Sequence, residues 1–273
     1  MKRTVLVVGA AGGIGGQIVA QLLARGDRVI ATVLNAEEAA RVPAAVEKTV
    51  LLDLADADNI VSTLERQNIT NLDAVVVCAA ISPYGPLAIA SLAVLRKTLE
   101  INTVSHVAVY QATLPLLRAT KGRLLLVSSF AGRVGLPFIG SYTASKFALE
   151  GLADVMRREA AEFGVKVIVV EPGGVKTPMV LGQLEGITRD REKLSPAQEA
   201  QYGKHYANFR GVIQKNWDTM LDPSVPAAAI IEALGADAPL ARYPVGEDSK
   251  FLCEAARKTD AEVDAIVASF ASA

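Results

Sequence analysis

The chain has 273 residues, 51% of them hydrophobic, and a formal net charge of −1 with no long run of one sign. That length suits one large α/β domain or two small ones, with apolar residues enough for a sizeable core. The charge balance offers no electrostatic handle for nucleic acid or for an anionic membrane surface.

The first segment has to be separated from a targeting signal. Residues 5–24, VLVVGAAGGIGGQIVAQLLA, carry no charge and follow Lys2 and Arg3, as an export signal or a membrane span would. Five glycines and two glutamines interrupt the run, and no small-x-small cleavage site precedes Arg25. It reads instead as a strand over 4–9 and a helix over 13–25 joined by a glycine hinge. Strands follow at 28–33 (RVIATV), 48–53 (KTVLLD) and 73–78 (DAVVVC). A long helix over 91–118 leads to a strand at 122–129, and a second over 141–163 leads to a strand at 165–172. Strands apolar on both faces, alternating with helices, define a parallel sheet covered on both sides. The expected fold is therefore a doubly wound, mostly parallel α/β sheet of the Rossmann type, in one domain spanning 1–273.

The alternation stops after Pro172. Residues 176–222 are polar and read as irregular, with Tyr202, Tyr206, Phe209 and the single tryptophan, Trp217. A helix over 224–235 and a last strand over 241–246 complete the pattern. A long insertion near the end of such a domain is expected to serve as a lid or binding loop. The two cysteines, Cys78 and Cys253, lack CxxC spacing, and two histidines do not complete a zinc site with them. No metal is expected, and both thiols read as reduced in a cytoplasmic protein.

The glycine-rich turn GAAGGIG, residues 9–15, stands between the first strand and the first helix. Missing Cβ atoms let backbone approach a pyrophosphate, and the helix N-terminus presents free N–H groups to it. Gly9, Gly13 and Gly15 fit GxxxGxG, whereas Gly9, Gly12 and Gly15 fit GxxGxxG.

Further along, Tyr142-Thr-Ala-Ser-Lys146 places a phenol and an amine at i and i+4, on one helix face. A free tyrosine titrates near pH ~10, and a neighbouring ammonium favours its phenolate, so the pair suits proton transfer. Ser129 closes a strand at the sheet edge where α/β folds place ligands, and its hydroxyl can polarise a substrate oxygen. No GxSxG elbow exists to support serine-hydrolase chemistry. His106 reads as a structural helix residue and His205 as a residue of the insertion.

Together these elements resemble the short-chain dehydrogenase/reductase family. VVGAAGGIG is similar to its TGxxxGIG motif, with Val8 in place of threonine, and Tyr142–Lys146 matches YxxxK. Ser129 lies thirteen residues before Tyr142, Asn102 in LEINTVSH fits the family's helix asparagine, and EPGGVKTPM fits its PGxVxT segment. The length favours the short single-domain branch, nearest the hydroxysteroid and retinol dehydrogenases, and thus the GxxxGxG spacing. One departure stands out: Val77-Cys78-Ala79-Ala80 replaces the usual NNAG.

The resemblance implies a catalytic set of Asn102, Ser129, Tyr142 and Lys146. Lys146 would also bind the nicotinamide ribose, and Asn102 would hold a water in a proton relay. It places the cofactor on Gly9, Gly13, Ile14, Gly15, Asp53, Leu54 and Ala79, on Tyr142 and Lys146, and on Pro172, Gly173, Val175 and Thr177. Asp53 would hold the adenine. Val33 and Leu34 supply neither charge nor arginine at the tip of the second strand, while Glu37 and Glu38 follow closely. That favours NAD over NADP, with Arg41 as the residue able to reverse it.

Phe130, Val134, Phe138, Met179 and the aromatics of the insertion are candidates for an apolar substrate pocket, with Ser129, Phe138 and Met179 facing the substrate. The implied reaction is hydride transfer to or from a hydrophobic alcohol or ketone. The alternatives are a non-catalytic NAD(P)-sensing protein and an epimerase of the longer branch. The two long helices imply a homodimer or homotetramer.

Overall fold

The computed structural model describes residues 2–272. Seven strands form one fully parallel sheet in the order β3-β2-β1-β4-β5-β6-β7. They are β1 (Thr4–Val8), β2 (Arg28–Val33), β3 (Lys48–Leu51), β4 (Ala74–Val77), β5 (Arg123–Val127), β6 (Lys166–Pro172) and β7 (Arg242–Val245). The connections after β1 and after β4 turn to opposite faces of the sheet, and this switch point opens a crevice at the C-terminal ends of the strands.

Alternation along each strand feeds two cores. Leu6, Val8, Val75, Val77, Leu124 and Leu126 point to one face, under α3 (Ile60–Glu65), α5 (Ser105–Thr120) and α6 (Gly140–Ala160). Val5, Val7, Ala74, Val76 and Leu125 point to the other, under α1 (Gly13–Ala24) and α9 (Ser224–Gly235). This two-sided burial is why the strands lack a polar alternation.

The doubly wound fold read from the sequence is the fold observed, with local differences. The helix expected over 91–118 is α4 (Leu92–Leu99) and α5, separated by a π-helical turn over Glu100–Val104. The short helix α2 (Ala36–Ala39) follows β2, and α10 (Glu247–Ala255) and α11 (Asp260–Ser272) follow β7. The main correction concerns 176–222, which is not irregular. It folds into a helical hairpin, α7 (Pro178–Arg191) and α8 (Pro196–Asn216). Ser195 and Gln198 form a capping box at the start of α8, with Pro196 in its first turn. Ile187, Tyr206 and Ile213 form a third apolar cluster with Tyr84, Phe138 and Phe209. The two ends of the hairpin are tied together: Leu221 N–H donates to Gly174 at 2.9 Å, and Lys176 N–H donates to Leu221 at 2.9 Å.

Candidate active site

A groove of about 480 Å³ runs along the C-terminal edge of the sheet over the crevice. Its floor is the glycine turn. Gly9 has φ +85°, and a Cβ there would stand 2.6 Å from the Ala79 Cβ. A Cβ on Gly15 would overlap the Gly9 carbonyl, and one on Gly13 would stand 2.9 Å from Thr177 Cγ2. Gly12 is different, since its nearest neighbour is the Gly9 carbonyl at 3.4 Å. Close packing therefore falls on Gly9, Gly13 and Gly15, the GxxxGxG spacing. This Cβ-free cradle at the start of α1 fits a dinucleotide pyrophosphate.

The sequence-derived cofactor residues converge on this groove. Gly9, Gly13, Ile14 and Gly15 line its floor, Asp53 and Leu54 its far end, and Ala79 the rim above β4. Tyr142 and Lys146 enter from α6, and Pro172, Gly173, Val175 and Thr177 close it from the segment after β6. Ser129 and Met179 also line it. At the β2 tip, Thr32, Val33, Leu34, Glu38 and Arg41 complete the wall. Glu38 accepts the Leu34 N–H at 2.8 Å and lies 3.7 Å from Arg41.

Asn102 and Phe138 do not line the groove. Asn102 is fully buried in the π-helical turn, with its amide bonded to Ile81 and to Ser145. Phe138 has φ +76° and stacks edge-on against Tyr206, 4.7 Å between ring centres. Val134 is also buried in the core. Of the candidate apolar pocket residues, Met179 alone lines the groove, and the aromatics of the insertion do not.

The departure at Cys78 has a local answer. The Cys78 thiol donates to the Val8 carbonyl at 3.0 Å, joining β4 to β1. Asn102 supplies the polar bracing one turn further on, at Ile81. Both cysteines are free.

Ser129 lies at the start of a 3₁₀ turn, where its Oγ accepts the Ala131 N–H at 3.2 Å. Lys146 is 1% exposed and donates to the Val127 carbonyl at 2.8 Å. Its Nζ lies 5.6 Å from the centre of the Tyr142 ring. Burial brings Lys146 down to about 8, against the opposing pull of Glu150 and then Cys78. Burial pushes Tyr142 up to about 12, offset in part by a hydrogen bond with Ser129. The i,i+4 pairing predicts a Tyr142 lowered by the Lys146 ammonium, and burial of the phenol gives the opposite direction. His106 is fully buried beside Ser105 and is pushed down to about 3 by burial and by Lys146, so it is neutral. His205 is exposed on α8.

The hairpin lies over the Tyr84 side of the site. Gln183 donates to the Ser82 carbonyl at 2.7 Å and to its hydroxyl at 3.0 Å, and the Tyr84 hydroxyl donates to Asp190 at 2.6 Å. Neither Gln183 nor Tyr84 stood out in the sequence. The stripe Tyr202, Tyr206, Phe209, Ile213 behind the capping box was the available signal for α8. Among the described residues there is no cluster suited to a metal ion, and no helix is long and apolar enough to cross a membrane.

The family model described as short chain dehydrogenase matches residues 3–186. Retinol dehydrogenase 5 of Homo sapiens is 31% identical over 263 residues, covering 91% of this chain and 82% of that protein. An NADPH-dependent 3-dehydrocapnine reductase of Ornithobacterium rhinotracheale is 29% identical over 255 residues, covering 89% of this chain and 88% of that one. Among solved structures, a short chain dehydrogenase from Burkholderia cenocepacia in complex with NADP superposes with a TM-score of 0.76. That match has 22% identity and covers 97% of each chain. The chain belongs to the short-chain dehydrogenase/reductase family. It is an NAD(P)-dependent oxidoreductase.

Proposed function

We propose that the protein interconverts a hydrophobic secondary alcohol and its ketone, with Tyr142 as acid and base. The observation that carries this reading is that Ser129, Tyr142 and Lys146 line one groove with the glycine cradle. When bound, the nicotinamide cofactor supplies or accepts the hydride. The glycine turn would hold its pyrophosphate, Asp53 its adenine and Lys146 its nicotinamide ribose.

Ser129 polarises the substrate oxygen, and Tyr142 gives a proton to that oxygen or takes one from it. A phenol held at about 12 is protonated at neutral pH, the form needed to protonate a carbonyl. Lys146 stabilises the phenolate left behind. Asn102 orders the Ile81 backbone and α6, and supports the proton relay from below.

The hairpin of α7 and α8 serves as the substrate lid over the groove in a single domain. Met179 faces the substrate, and Phe138 acts through the aromatic cluster under the lid. The dehydrogenase and reductase names of the two relatives support an alcohol or ketone substrate. Glu38 at the β2 tip supports NAD as the preferred cofactor, because a carboxylate there repels a 2′-phosphate. Exposed Leu92 and Val94 on α4 and Phe147 and Val155 on α6 support homodimer or homotetramer assembly through those helices. The two free cysteines support a cytoplasmic location.

The test is Tyr142→Phe, screened with NAD and NADP against steroid, retinoid, aryl and aliphatic alcohols beside the parent chain. Nucleotide binding is expected to persist while turnover of any accepted alcohol is nearly abolished. Retained turnover would remove Tyr142 from the chemistry.

A further inference from the structure

Behind Lys146, away from the groove, lies a buried group of charges that hydride transfer does not itself require. Glu150 stands one turn beyond Lys146 on α6 and is 6% exposed. It packs around Gly132, where a Cβ would come within 2.9 Å of Glu150 Cγ and Ser128 Oγ and 3.0 Å of the Lys146 carbonyl. Only a glycine allows these three elements to meet so closely. Glu150 Oε2 accepts from Arg242 Nε at 2.9 Å, whereas Glu150 Oε1 and Ser128 Oγ are buried without a protein partner. Arg242 also reaches Asp154 at 3.0 Å and Glu171 at 3.9 Å. Glu171, 1% exposed on β6, takes a second guanidinium, Arg133, at 3.3 Å.

Two nearly buried carboxylates thus share one arginine directly behind the active-site lysine. We propose that Glu150 is a positioning residue that holds Lys146 in its ammonium form, with Arg242 anchoring the Glu150 carboxylate. The inference rests on the role given to Lys146 above.

The surrounding groups agree with this assignment. Lys146 faces Glu150 and Tyr142 on its own helix, Cys78 from the end of β4 and His106 from α5. Glu150 is the one carboxylate among them. The Cys78 thiol is pushed up to about 12 by burial, and His106 is neutral. Glu171 faces Glu150, Arg133 and Arg242, with Cys253 from α10 beside it. Burial, then the charge of Glu150, pushes Glu171 up to about 7. Two close carboxylates resist ionising together, and Glu171 keeps its proton up to about pH 7. Glu150 is the carboxylate that faces Lys146, one turn away on α6.

The test is a titration of the full chain labelled with [13Cε]lysine, followed by NMR without nucleotide or substrate. The Lys146 signal is identified by its loss in Lys146→Arg. In the parent chain its midpoint is expected near 8. Glu150→Gln is expected to lower that midpoint by about one pH unit. Glu171→Gln disturbs the same ion network but leaves Glu150 in place, so the midpoint is expected to stay. An unchanged midpoint in Glu150→Gln, or an equal fall in both variants, overturns the proposal.

Where Glu150→Gln does not fold, [13Cδ]glutamate in the parent chain reads the same coupling. The Glu150 signal then shows a second step at the Lys146 midpoint, and Lys146→Arg abolishes it. A parent chain without that step is the contrary result. Neither titration involves turnover, so a failure here is distinguishable from a failure of the Tyr142 assignment.

Discussion

Asn102 closes both backbone groups of Ile81: its Oδ1 accepts the Ile81 N–H at 2.9 Å, and its Nδ2 donates to the Ile81 carbonyl at 2.8 Å. The same Nδ2 donates to Ser145 at 2.9 Å, on the helix that carries Tyr142 and Lys146. One amide therefore fixes the groove wall after β4 and helix α6 in a single register. Asn102→Ala would orphan both Ile81 groups. A loss of roughly 3 kcal/mol in urea unfolding is expected. Nucleotide affinity should fall with it, because Ala79, Ala80 and Ile81 line the groove. Unfolding curves together with a nucleotide titration check both effects, and a change in stability alone would confine Asn102 to the fold.

The glycine turn makes a contrast between neighbours. Gly12 has φ −74° and room for a methyl group, whereas a methyl on Gly13 would press on Thr177 and on Pro178 Cδ at 3.3 Å. Gly12→Ala is expected to leave the nucleotide dissociation constant within about threefold, and Gly13→Ala to raise it by about tenfold or more. Isothermal titration of the two variants beside the parent chain decides between them. The reverse order would reinstate the GxxGxxG spacing.

Glu38 is the residue to change for cofactor choice. Its carboxylate is fixed by the Leu34 N–H, so it faces the groove without needing a place on β2 itself. Glu38→Gln keeps that bond and removes the charge. Against a 2′-phosphate the change is worth about 1 kcal/mol, so NADP affinity should rise roughly fivefold relative to NAD. Arg41→Ala tests the opposite assignment. If the parent chain prefers NADP and Arg41→Ala abolishes that preference, Arg41 and not Glu38 sets the choice.

These residues also show what sequence alone conveys. The strands were legible because burial on both faces leaves uninterrupted apolar runs such as Val5–Val8 and Val75–Val77. The line from Gly9 to Lys146 was legible because each motif is local, with a spacing that a turn or one helical face imposes. Gly12 could not be told from Gly13 in the sequence, since the distinction depends on Thr177, which the fold brings back across the turn. Phe138 was misplaced for a related reason. Its positive φ turns the ring toward Tyr206 and Phe209, on a hairpin whose helical nature was hidden by its polar composition. The Glu150–Arg242–Glu171 cluster joins α6 and β6 to the distant β7, and no periodicity signals it.

Glu171 gives a pH dependence of stability with a definite sign. Burial and Glu150 raise its folded value to about 7 from an ordinary 4.5. The folded chain therefore binds more protons than the unfolded one between those values. Its contribution to stability is fully present below the ordinary value and is lost as pH rises through about 7. Glu171→Gln removes this dependence. Relative to the parent chain, the variant should gain about 2 kcal/mol between about pH 5 and about pH 8. Urea midpoints of both chains at the two pH values measure the difference, and an equal offset at both would show that Glu171 ionises normally in the fold.

Tyr84 tests the hairpin. Its hydroxyl donates to Asp190 on α7, and its ring stacks on Phe209 of α8 with 6.1 Å between centres. Burial and then Asp190 keep the phenol protonated, so the bond is held throughout the working pH range. Tyr84→Phe keeps the stack and removes the bond, at a cost of about 1 kcal/mol to the closed hairpin. Amide hydrogen exchange in α7 and α8 should then quicken roughly fivefold, with β1, β4 and β5 unchanged. The nucleotide dissociation constant should stay as it was, because the glycine cradle and Lys146 are untouched. Faster exchange spread across the sheet would mean that Tyr84 supports the whole fold and not the hairpin, and the hairpin would lose its claim to independent movement over the site.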